Sequence, residues 1–408
     1  MEAMPTCAGI DWSWQHHAVC VVDEHGHRVE EATLAHDRAG LAEITSLLRR
    51  HQVQRVGIER GDGPVVEHLV RDGFEVVVIS ARQVASLRLR HGGAGNKDDR
   101  FDAFVLAEAL RTDAARWVVV QPDSAQTVAL RMLVRARQDL IGHRVALHNQ
   151  LLATLQHHFP GAIGLFSQLD SAISLTFLRR FPSEAKAAWL IAGGGERRMA
   201  HWLKTHSYSG RQTARRMVDH LTQAVQGRPA GPAADASDTV VTVLVELLST
   251  LHAKQDELES QIHDTLQAHP DAAIFQSLPR AGTVRAATLL AEIGDCRARY
   301  PDPAALAAAA GVAPSTRQSG KYLHVTYRRG CNKQLRAALI GWAQDTPRAN
   351  AWAHDTYRRA RDRGCRHPHA ARILAQAWTR ILWRCWHDHT PYNPDLHGQL
   401  HTLQQQTA

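Results

Sequence analysis

The sequence predicts an α/β domain followed by two mostly helical regions, and three observations support this fold class. Short apolar runs of strand character alternate with helical patterns over the first 120 residues. Two later segments, at 124–158 and 239–268, carry apolar residues at three- and four-residue intervals, which is typical of long amphipathic helices. The chain has 408 residues, of which 44% are hydrophobic, so it is long enough for two or three globular domains and too apolar for a disordered chain.

The α/β region opens with three short strands. Apolar runs at Cys7–Ile10, Ala18–Val22 and Arg28–Thr33 predict adjacent antiparallel strands. Asp37 can cap a helix whose apolar residues have helical spacing, and Val53–Ile58 predicts the next strand. The alternation therefore begins as an antiparallel sheet and continues through a helical connection.

The same alternation runs to the end of this region. A helix is predicted at about 64–71, a strand at Phe74–Ile79 and a helix from Asp98 to about Arg111. The glycine-rich stretch at 91–96 lacks the Gly-Lys-Ser/Thr ending of a phosphate-binding loop, so we interpret it as a link into that last helix.

The pattern of apolar residues predicts helices in the remainder of the chain. The two long helices are expected to pair as an antiparallel arm, with a small helical insert at 165–227 and a linker rich in Gly, Pro and Ala at 227–237. Five of the ten tryptophans fall in the last third, where we interpret them as core residues. We divide the chain into an α/β domain at 1–118, a helical arm with its insert at 119–268, a mostly helical C-terminal domain at 269–395 and a tail at 396–408.

Charge is unevenly distributed along the chain. The formal net charge is +8, but it is −4 over residues 1–120, +2 over 121–270 and +10 over 271–408. An acidic first third and a basic last third suggest a metal-binding or catalytic module joined to one that binds a polyanion, with nucleic acid the leading candidate.

The composition also indicates the compartment. We find no run of about 20 apolar residues and no signal-peptide pattern at the start, so we expect a cytoplasmic protein without a membrane span. The six cysteines lie far apart without a CxxC pair, which argues against a disulfide framework. The 26 histidines lack the spacing of a zinc site, and we assign no ligand among them.

Four carboxylates form the sharpest local signal: Asp11, Glu59, Asp99 and Asp102. The first two end predicted strands, and the last two, three residues apart, share one face of a helix. Each alone is readily explained as a cap or an ion-pair partner, and Asp98 is a competing acid whose simplest role is N-capping. Together in one α/β unit they supply the clustered carboxylate oxygens that hard divalent cations require. Two such metals can support phosphoryl transfer.

The residues around these acids carry a resemblance. Gly9-Ile10-Asp11, Gly57-Ile58-Glu59 and the segment 96–103 resemble the DEDD motifs of the transposases of the bacterial insertion-sequence family IS110, which includes the Piv-type DNA invertases. The resemblance implies that the first domain has a ribonuclease H-like fold, similar to the Holliday-junction resolvase RuvC. It further implies that the four acids bind Mg²⁺ and that Lys97, within the third motif, contacts nucleic acid.

The last third is similar to the second half of the same family. Its motifs are Pro279-Arg280-Ala281-Gly282, like a helix-hairpin-helix element, then Gly311-Val312-Ala313-Pro314, Gln318-Ser319-Gly320, and a basic stretch at 330–336. Arg280 replaces the hairpin's usual first glycine, although an arginine can bind phosphate through its side chain.

The family resemblance implies that Ser319 attacks DNA. Judged without it, this serine would be assigned a turn role, and Ser315 is the nearest rival nucleophile. A solvated basic face is the alternative to DNA-backbone contact for the neighbouring cations, which are Lys321, Arg328, Arg329, Lys333 and Arg336.

These features predict a transposase that cuts and rejoins DNA to move an insertion sequence. The resemblance implies a transient phosphoserine link to DNA and a structured guide RNA, the bridge RNA, which would leave the protein to read backbone and shape. The paired long helices suggest a homodimer or homotetramer. Two alternatives stay open: a RuvC-like nuclease that resolves branched DNA with metal-activated water, and a non-catalytic DNA-binding protein.

Overall fold

A computed structural model describes residues 6–91, 98–320 and 322–395. The chain divides into two compact units, with the boundary between Pro122 and Asp123. Lys97, Lys321, the glycine-rich stretch from Gly92 and the predicted tail at 396–408 lie outside the described residues.

The first unit alternates strands and helices, as the sequence predicts. Its elements are β1 (Cys7–Trp12), β2 (His16–Val22), β3 (Arg28–Ala35), α1 (Arg38–Arg50), β4 (Arg55–Ile58), α2 (Pro64–Arg71), β5 (Glu75–Val78), α3 (Ala81–Arg88) and α4 (Asp99–Asp113). Helix α3 is the one element here that the sequence analysis did not predict; a capping box of Ser80 and Gln83 marks its start.

The five strands form one mixed sheet in the order β3-β2-β1-β4-β5. Strands β1, β2 and β3 are antiparallel neighbours, as predicted. Strand β4 pairs with β1 in parallel, with Ile10 opposite Ile58, and β5 pairs with β4 in parallel. Because β1 and β4 run in the same direction, their carboxyl ends meet at one edge of the sheet, which we call the carboxyl edge.

Side-chain alternation places a helical layer on each face of this sheet. Ala8 and Ile10 of β1 pack with buried residues of α1 and α2, such as Ile44 and Leu69. Cys7 packs on the opposite face with buried residues of α4. Between these layers, Gly9 allows α4 to lie directly on β1, because a Cβ atom at Gly9 would be 2.0 Å from the carbonyl oxygen of Ala103.

The second unit is mostly helical, again as predicted. Its elements are α5 (Ala125–His158), α6 (Ala172–Arg180), α7 (Glu184–Ile191), α8 (Gly195–Thr205), α9 (Ala214–Gln223), α10 (Pro232–Gln267), α11 (Ala272–Gln276), α12 (Thr283–Ile293), α13 (Pro303–Ala309), β6 (Ser315–Ser319), β7 (Tyr322–Thr326), α14 (Lys333–Ala343), α15 (Ala351–Asp362) and α16 (His367–His387).

The two long helices, α5 and α10, pack against each other in antiparallel fashion. Leu130 near the start of α5 shares a hydrophobic cluster with Leu266 near the end of α10, whereas Leu155 near the end of α5 packs with Val241. The predicted linker at 227–237 is partly wrong, because α10 already begins at Pro232. Proline is favoured at the first position of a helix, where its missing N–H costs nothing.

Helix α10 is also long and apolar enough to cross a membrane by length and composition alone. Its residues Val241, Leu244, Val245 and Leu248 are buried against α5 and the small helices α6 to α9. This packing accounts for the buried part of its apolar character, because a helix that bears a hydrophobic core needs such residues. Val240, Val243 and Leu247 of the same helix are exposed.

The C-terminal helices enclose a tryptophan-rich core, as predicted. Trp342, Trp378 and Trp386 are fully buried, and Trp352 and Trp383 pack against them. The sequence pattern predicts no strand in this region, but β6 and β7 form an antiparallel hairpin. Strand β6 is entirely polar, so it lacks the apolar alternation by which a strand is recognised in a sequence, and the apolar Leu323 and Val325 of β7 are exposed.

Candidate active site

Asp11 and Glu59 lie side by side at the carboxyl edge. Ile10 of β1 is opposite Ile58 of β4, so the next residue of each chain segment is one of the two acids. Strand alternation directs Asp11 to the same face as Gly9, the face that α4 covers. Both acids are partly exposed, which leaves them accessible to a ligand.

The start of α4 brings the other two acids to this region. Ala103 lies directly over Gly9, two residues before Asp11, so the neighbouring Asp102 is held close to the end of β1. Asp99, in the first turn of α4, is exposed, and its carboxylate is 3.9 Å from Nε2 of His16 on β2. Asp98 is the N-cap of α4, since its carboxylate accepts a hydrogen bond from the Arg100 N–H.

Asp102 is the buried member of the four acids, and it forms an ion pair with Arg88 of α3. Its side chain is 2% exposed, with Arg88 Nε 2.6 Å from Oδ1 and a hydrogen bond of 3.0 Å from Nη2 to Oδ2. A carboxylate this deeply buried needs a compensating positive charge, and Arg88 supplies it.

The four acids have the chemistry that a hard divalent cation requires, but their side chains are not grouped closely enough to bind one together. Carboxylate oxygens are the ligands that Mg²⁺ prefers. Within residues 6–91, 98–320 and 322–395, however, no three His, Cys, Asp or Glu side chains are grouped closely enough to hold a metal ion. Asp102 is paired with Arg88, so this guanidinium would have to move away before the buried carboxylate could join a set of metal ligands.

Ser319 lies at the exposed tip of the hairpin in the second unit. It is the last residue of β6 and is paired with Tyr322, and Gly320 in the intervening turn has a φ of +54°. The rival Ser315 stands at the opposite end of β6, where its carbonyl oxygen accepts a hydrogen bond of 3.2 Å from the Thr326 hydroxyl. The tip position makes Ser319 the more accessible of the two hydroxyls.

The predicted DNA-contacting cations fall into two groups. Arg329 and Lys333 are exposed. Arg336 instead packs within its own segment, because it donates a hydrogen bond to the Arg328 carbonyl oxygen and its guanidinium lies 4.3 Å from the ring centroid of Tyr327. Arg336 therefore stabilises the conformation of the basic stretch through contacts within that stretch.

Arg280 adopts left-handed backbone geometry, with a φ of +62°. This is the position at which the resembled motif carries a glycine, and left-handed geometry is the property that favours glycine. Arg280 is exposed at a cleft of about 910 Å³, which Arg137 of α5 and Arg285 of α12 also line. Arg285 is held there by a hydrogen bond of 2.7 Å to Asp345. The cleft thus concentrates guanidinium groups beside the start of α12.

Residues that the sequence reasoning missed also lie near the carboxyl edge. Arg88 was not predicted, although the Ser-x-x-Gln pattern before it marks the start of its helix. Trp12 and Arg60 directly follow the two acids in the sequence, and Trp12 contacts the exposed Trp14 and the guanidinium of Arg60. No periodic pattern marks these three, since they lie in a strand end and in turns.

Comparisons with known proteins agree with these observations. Two family profiles match the chain: a transposase profile with the DEDD motif over residues 8–160, and one for the transposase IS116/IS110/IS902 family over 272–358. A protein of Streptomyces coelicolor assigned as the mini-circle transposase for IS117 is 30% identical over 393 residues, which cover 94% of each chain. The protein of insertion element IS110 from the same organism is 30% identical and covers 72% of each chain.

More distant proteins match as well. A 42 kDa protein of insertion element IS900 from Mycobacterium paratuberculosis is 25% identical, covering 96% of this chain and 98% of its own. Among solved structures, T. thermophilus RuvC in complex with a Holliday junction substrate aligns with a TM-score of 0.24 and 14% identity, covering 29% of this chain and all of that one. The profile matches and the full-length relative together show that the chain belongs to the IS110 family of insertion-sequence DNA transposases.

Proposed function

We propose that this transposase cuts and rejoins DNA with Ser319 as the nucleophile and with Asp11, Glu59, Asp99 and Asp102 as a Mg²⁺-binding set. The observation that carries the proposal is the arrangement at the carboxyl edge, where Asp11 and Glu59 are neighbours and α4 lies across β1. The sheet order and the strand directions support a ribonuclease H-like, RuvC-like first domain.

The metal set requires one rearrangement of this chain. Arg88 has to release Asp102 so that the buried carboxylate can turn toward the other acids. When bound, Mg²⁺ would offset phosphate charge and stabilise a departing oxygen. The exposed Asp99 and the partly exposed Asp11 and Glu59 supply the accessible side of the set.

The serine step balances without a further reactant. The Ser319 Oγ–P bond forms as the bond from phosphorus to an adjoining deoxyribose oxygen breaks, and the hydroxyl proton ends on that leaving oxygen through solvent. Attack by a deoxyribose hydroxyl on the phosphoserine then reverses the exchange and rejoins DNA. The exposed tip of the β6–β7 hairpin supports this role because a nucleophile has to reach a phosphate from outside the fold.

Nucleic-acid contacts complete the proposal. Arg329 and Lys333 are exposed cations suited to the DNA backbone, Arg328 and Arg336 shape the same stretch, and Arg280 lies at the cleft that Arg137 and Arg285 also line. Lys97 and Lys321 are proposed contacts from the sequence motifs. We further propose a structured guide RNA, a homodimer or homotetramer, and a cytoplasmic reaction, with a DEDD domain at 1–118, an arm at 119–268 and a serine domain at 269–395.

Substitution of Ser319 tests the nucleophile. Ser319→Ala should abolish strand joining and any covalent protein–DNA adduct on denaturing gels, whereas Ser315→Ala, in the same strand, should retain both. Cleavage that persists undiminished in Ser319→Ala would instead favour a RuvC-like nuclease with metal-activated water.

Substitution of the acids tests catalysis itself. Asp11→Asn should remove strand cleavage while DNA binding persists, because the amide keeps the size of the side chain but not its charge. Unchanged recombination by this variant would refute the metal-site assignment. Sequencing the RNA that copurifies with the protein tests the guide, since an RNA from the flanking element is expected.

A further inference from the structure

A group of aromatic side chains, of which Trp14 is the exposed member, lies at the carboxyl edge. Trp14, in the turn between β1 and β2, is 74% exposed. Its ring contacts Trp12 edge-on, with centroids 5.6 Å apart, and His36, with centroids 5.7 Å apart. The guanidinium of Arg60 lies 5.0 Å from the Trp12 ring centroid. We call Trp12, Trp14, His36 and Arg60 the aromatic cluster.

The aromatic cluster is adjacent to the proposed metal ligands along both strands. Trp12 directly follows Asp11, and Arg60 directly follows Glu59. Consecutive Cα atoms are about 3.8 Å apart, and consecutive strand residues point to opposite faces. The acids and the aromatic cluster therefore occupy the two sides of the same sheet edge.

The turn does not depend on Trp14. Ser13 holds it, since its hydroxyl donates a hydrogen bond of 2.7 Å to the His16 carbonyl oxygen and its N–H donates one of 3.0 Å to the same atom. An indole that is 74% exposed buries little apolar surface, so its contribution to folding is small. Arg60 is likewise fixed over Trp12 by two hydrogen bonds of 3.1 Å to Asp62.

We propose that the aromatic cluster stacks an unpaired base of the DNA strand whose phosphate lies at the acids. This inference rests on the proposed function of Asp11 and Glu59. Every base offers a π face, so an exposed indole binds unpaired bases with little sequence preference, and an arginine over the neighbouring ring adds a cation–π contact. A base inside a duplex has no free face, which makes the DNA beside a cut site, where pairing is interrupted, the fitting occupant.

Photocrosslinking and binding by the full-length protein test this assignment. A short single-stranded DNA carrying 5-iodouracil should crosslink to the peptide that contains Trp14, with calcium chloride replacing magnesium to limit cleavage. Trp14→Ala should remove this crosslink and weaken binding of base-containing DNA by roughly 5- to 100-fold. Trp14→Phe should restore most of the affinity, because a phenyl ring can also stack.

Two controls keep the test specific. Trp189→Ala removes another exposed tryptophan that has an arginine over its ring, Arg198 at 5.1 Å, and should change neither crosslinking nor affinity. A DNA with abasic sites should bind wild type and Trp14→Ala equally. Equal loss of base-containing and abasic DNA, or wild-type crosslinks confined to other peptides, would overturn the proposal. Equal or stronger crosslinking of a ribo-oligonucleotide at Trp14 would overturn the assignment to DNA.

Failure of this inference is separable from failure of the proposed function. Cleavage by Asp11→Asn reports on the metal-site assignment whatever Trp14 does. Normal binding and normal crosslinking by Trp14→Ala would remove only the stacking role, and the acids would keep theirs.

Discussion

Replacing Gly9 by alanine should displace α4 from the sheet. The added Cβ would lie 2.0 Å from the carbonyl oxygen of Ala103 and 2.6 Å from the backbone nitrogen of Ala107. Both are backbone atoms of the helix, so no side-chain rotation relieves the overlap. Real Cβ contacts essentially never fall below 3.0 Å, which means that α4 has to withdraw by at least about 1 Å.

The cost follows from the packing that this withdrawal breaks. Overpacking a well-filled core by one methyl group destabilises a protein by about 1–3 kcal/mol, and the overlap at Gly9 is with rigid backbone, so we expect about 3 kcal/mol. Gly57→Ala should cost less, about 1 kcal/mol, because its nearest contact, the Leu106 carbonyl oxygen, would be 3.0 Å away. Gly142→Ala should instead stabilise the protein by about 0.5–1 kcal/mol, since this helical position is open.

Hydrogen exchange measured by mass spectrometry on peptides of α4 reports the local effect. Exchange in α4 should be fastest in Gly9→Ala, slower in Gly57→Ala and slowest in the wild type, and Gly142→Ala should exchange like the wild type in this region. Strand cleavage should fall with Gly9→Ala, because the same helix carries Asp99 and Asp102. Wild-type exchange in α4 of the Gly9→Ala protein would refute the claim that the helix rests on this glycine.

Three further outcomes are expected. Arg88→Gln should lower the metal-free stability by about 3 kcal/mol, because it leaves the Asp102 carboxylate buried without its cation, and should tighten Mg²⁺ binding measured by calorimetry. Arg280→Gly should raise the unfolding free energy by about 1 kcal/mol by relieving a φ of +62°, whereas Arg280→Ala should not, and both should weaken nucleic-acid binding. Burial, together with repulsion from His36 and His16, lowers the pKa of His17 from 6.5 to about 4. Between these two pH values His17 is protonated in the unfolded chain but neutral in the folded chain. The free energy of unfolding should therefore fall by up to about 3 kcal/mol as the pH drops from 6.5 to about 4.

Each of these outcomes has a contrary result. Unchanged Mg²⁺ affinity in Arg88→Gln would show that the guanidinium does not compete with the metal. Equal stability of Arg280→Gly and Arg280→Ala would show that the backbone at this position is not strained. Urea unfolding of His17→Gln at about pH 7 and about pH 5 should show a smaller pH dependence than wild type, and an identical dependence would exclude His17 as its source.

Local patterns predicted much of the second unit and of the sheet. The long helices α5 and α10 repeat apolar residues at helical spacing, and β1 and β2 are continuous apolar runs, so their positions follow from periodicity. The β6–β7 hairpin was not predicted because β6 is entirely polar and exposed, which leaves β7 without a recognisable partner strand. The start of α10 was misplaced because Gly, Pro and Ala suggest a linker by composition, whereas proline at the first helical position is favourable.

The sequence alone, through its motif resemblance, predicted the members of the candidate site. Asp11, Glu59, Asp99, Asp102 and Ser319 were assigned by their match to the motifs of the family, and such motifs are visible in one dimension. Only the tertiary structure decided that Arg88 pairs with Asp102 and that Trp14 stands exposed beside the acids. An ion pair between two helices and the exposure of a turn residue depend on which surfaces pack together. For Asp102 the packing depends on the close approach of α4 to Gly9, for which the sequence offers only a glycine.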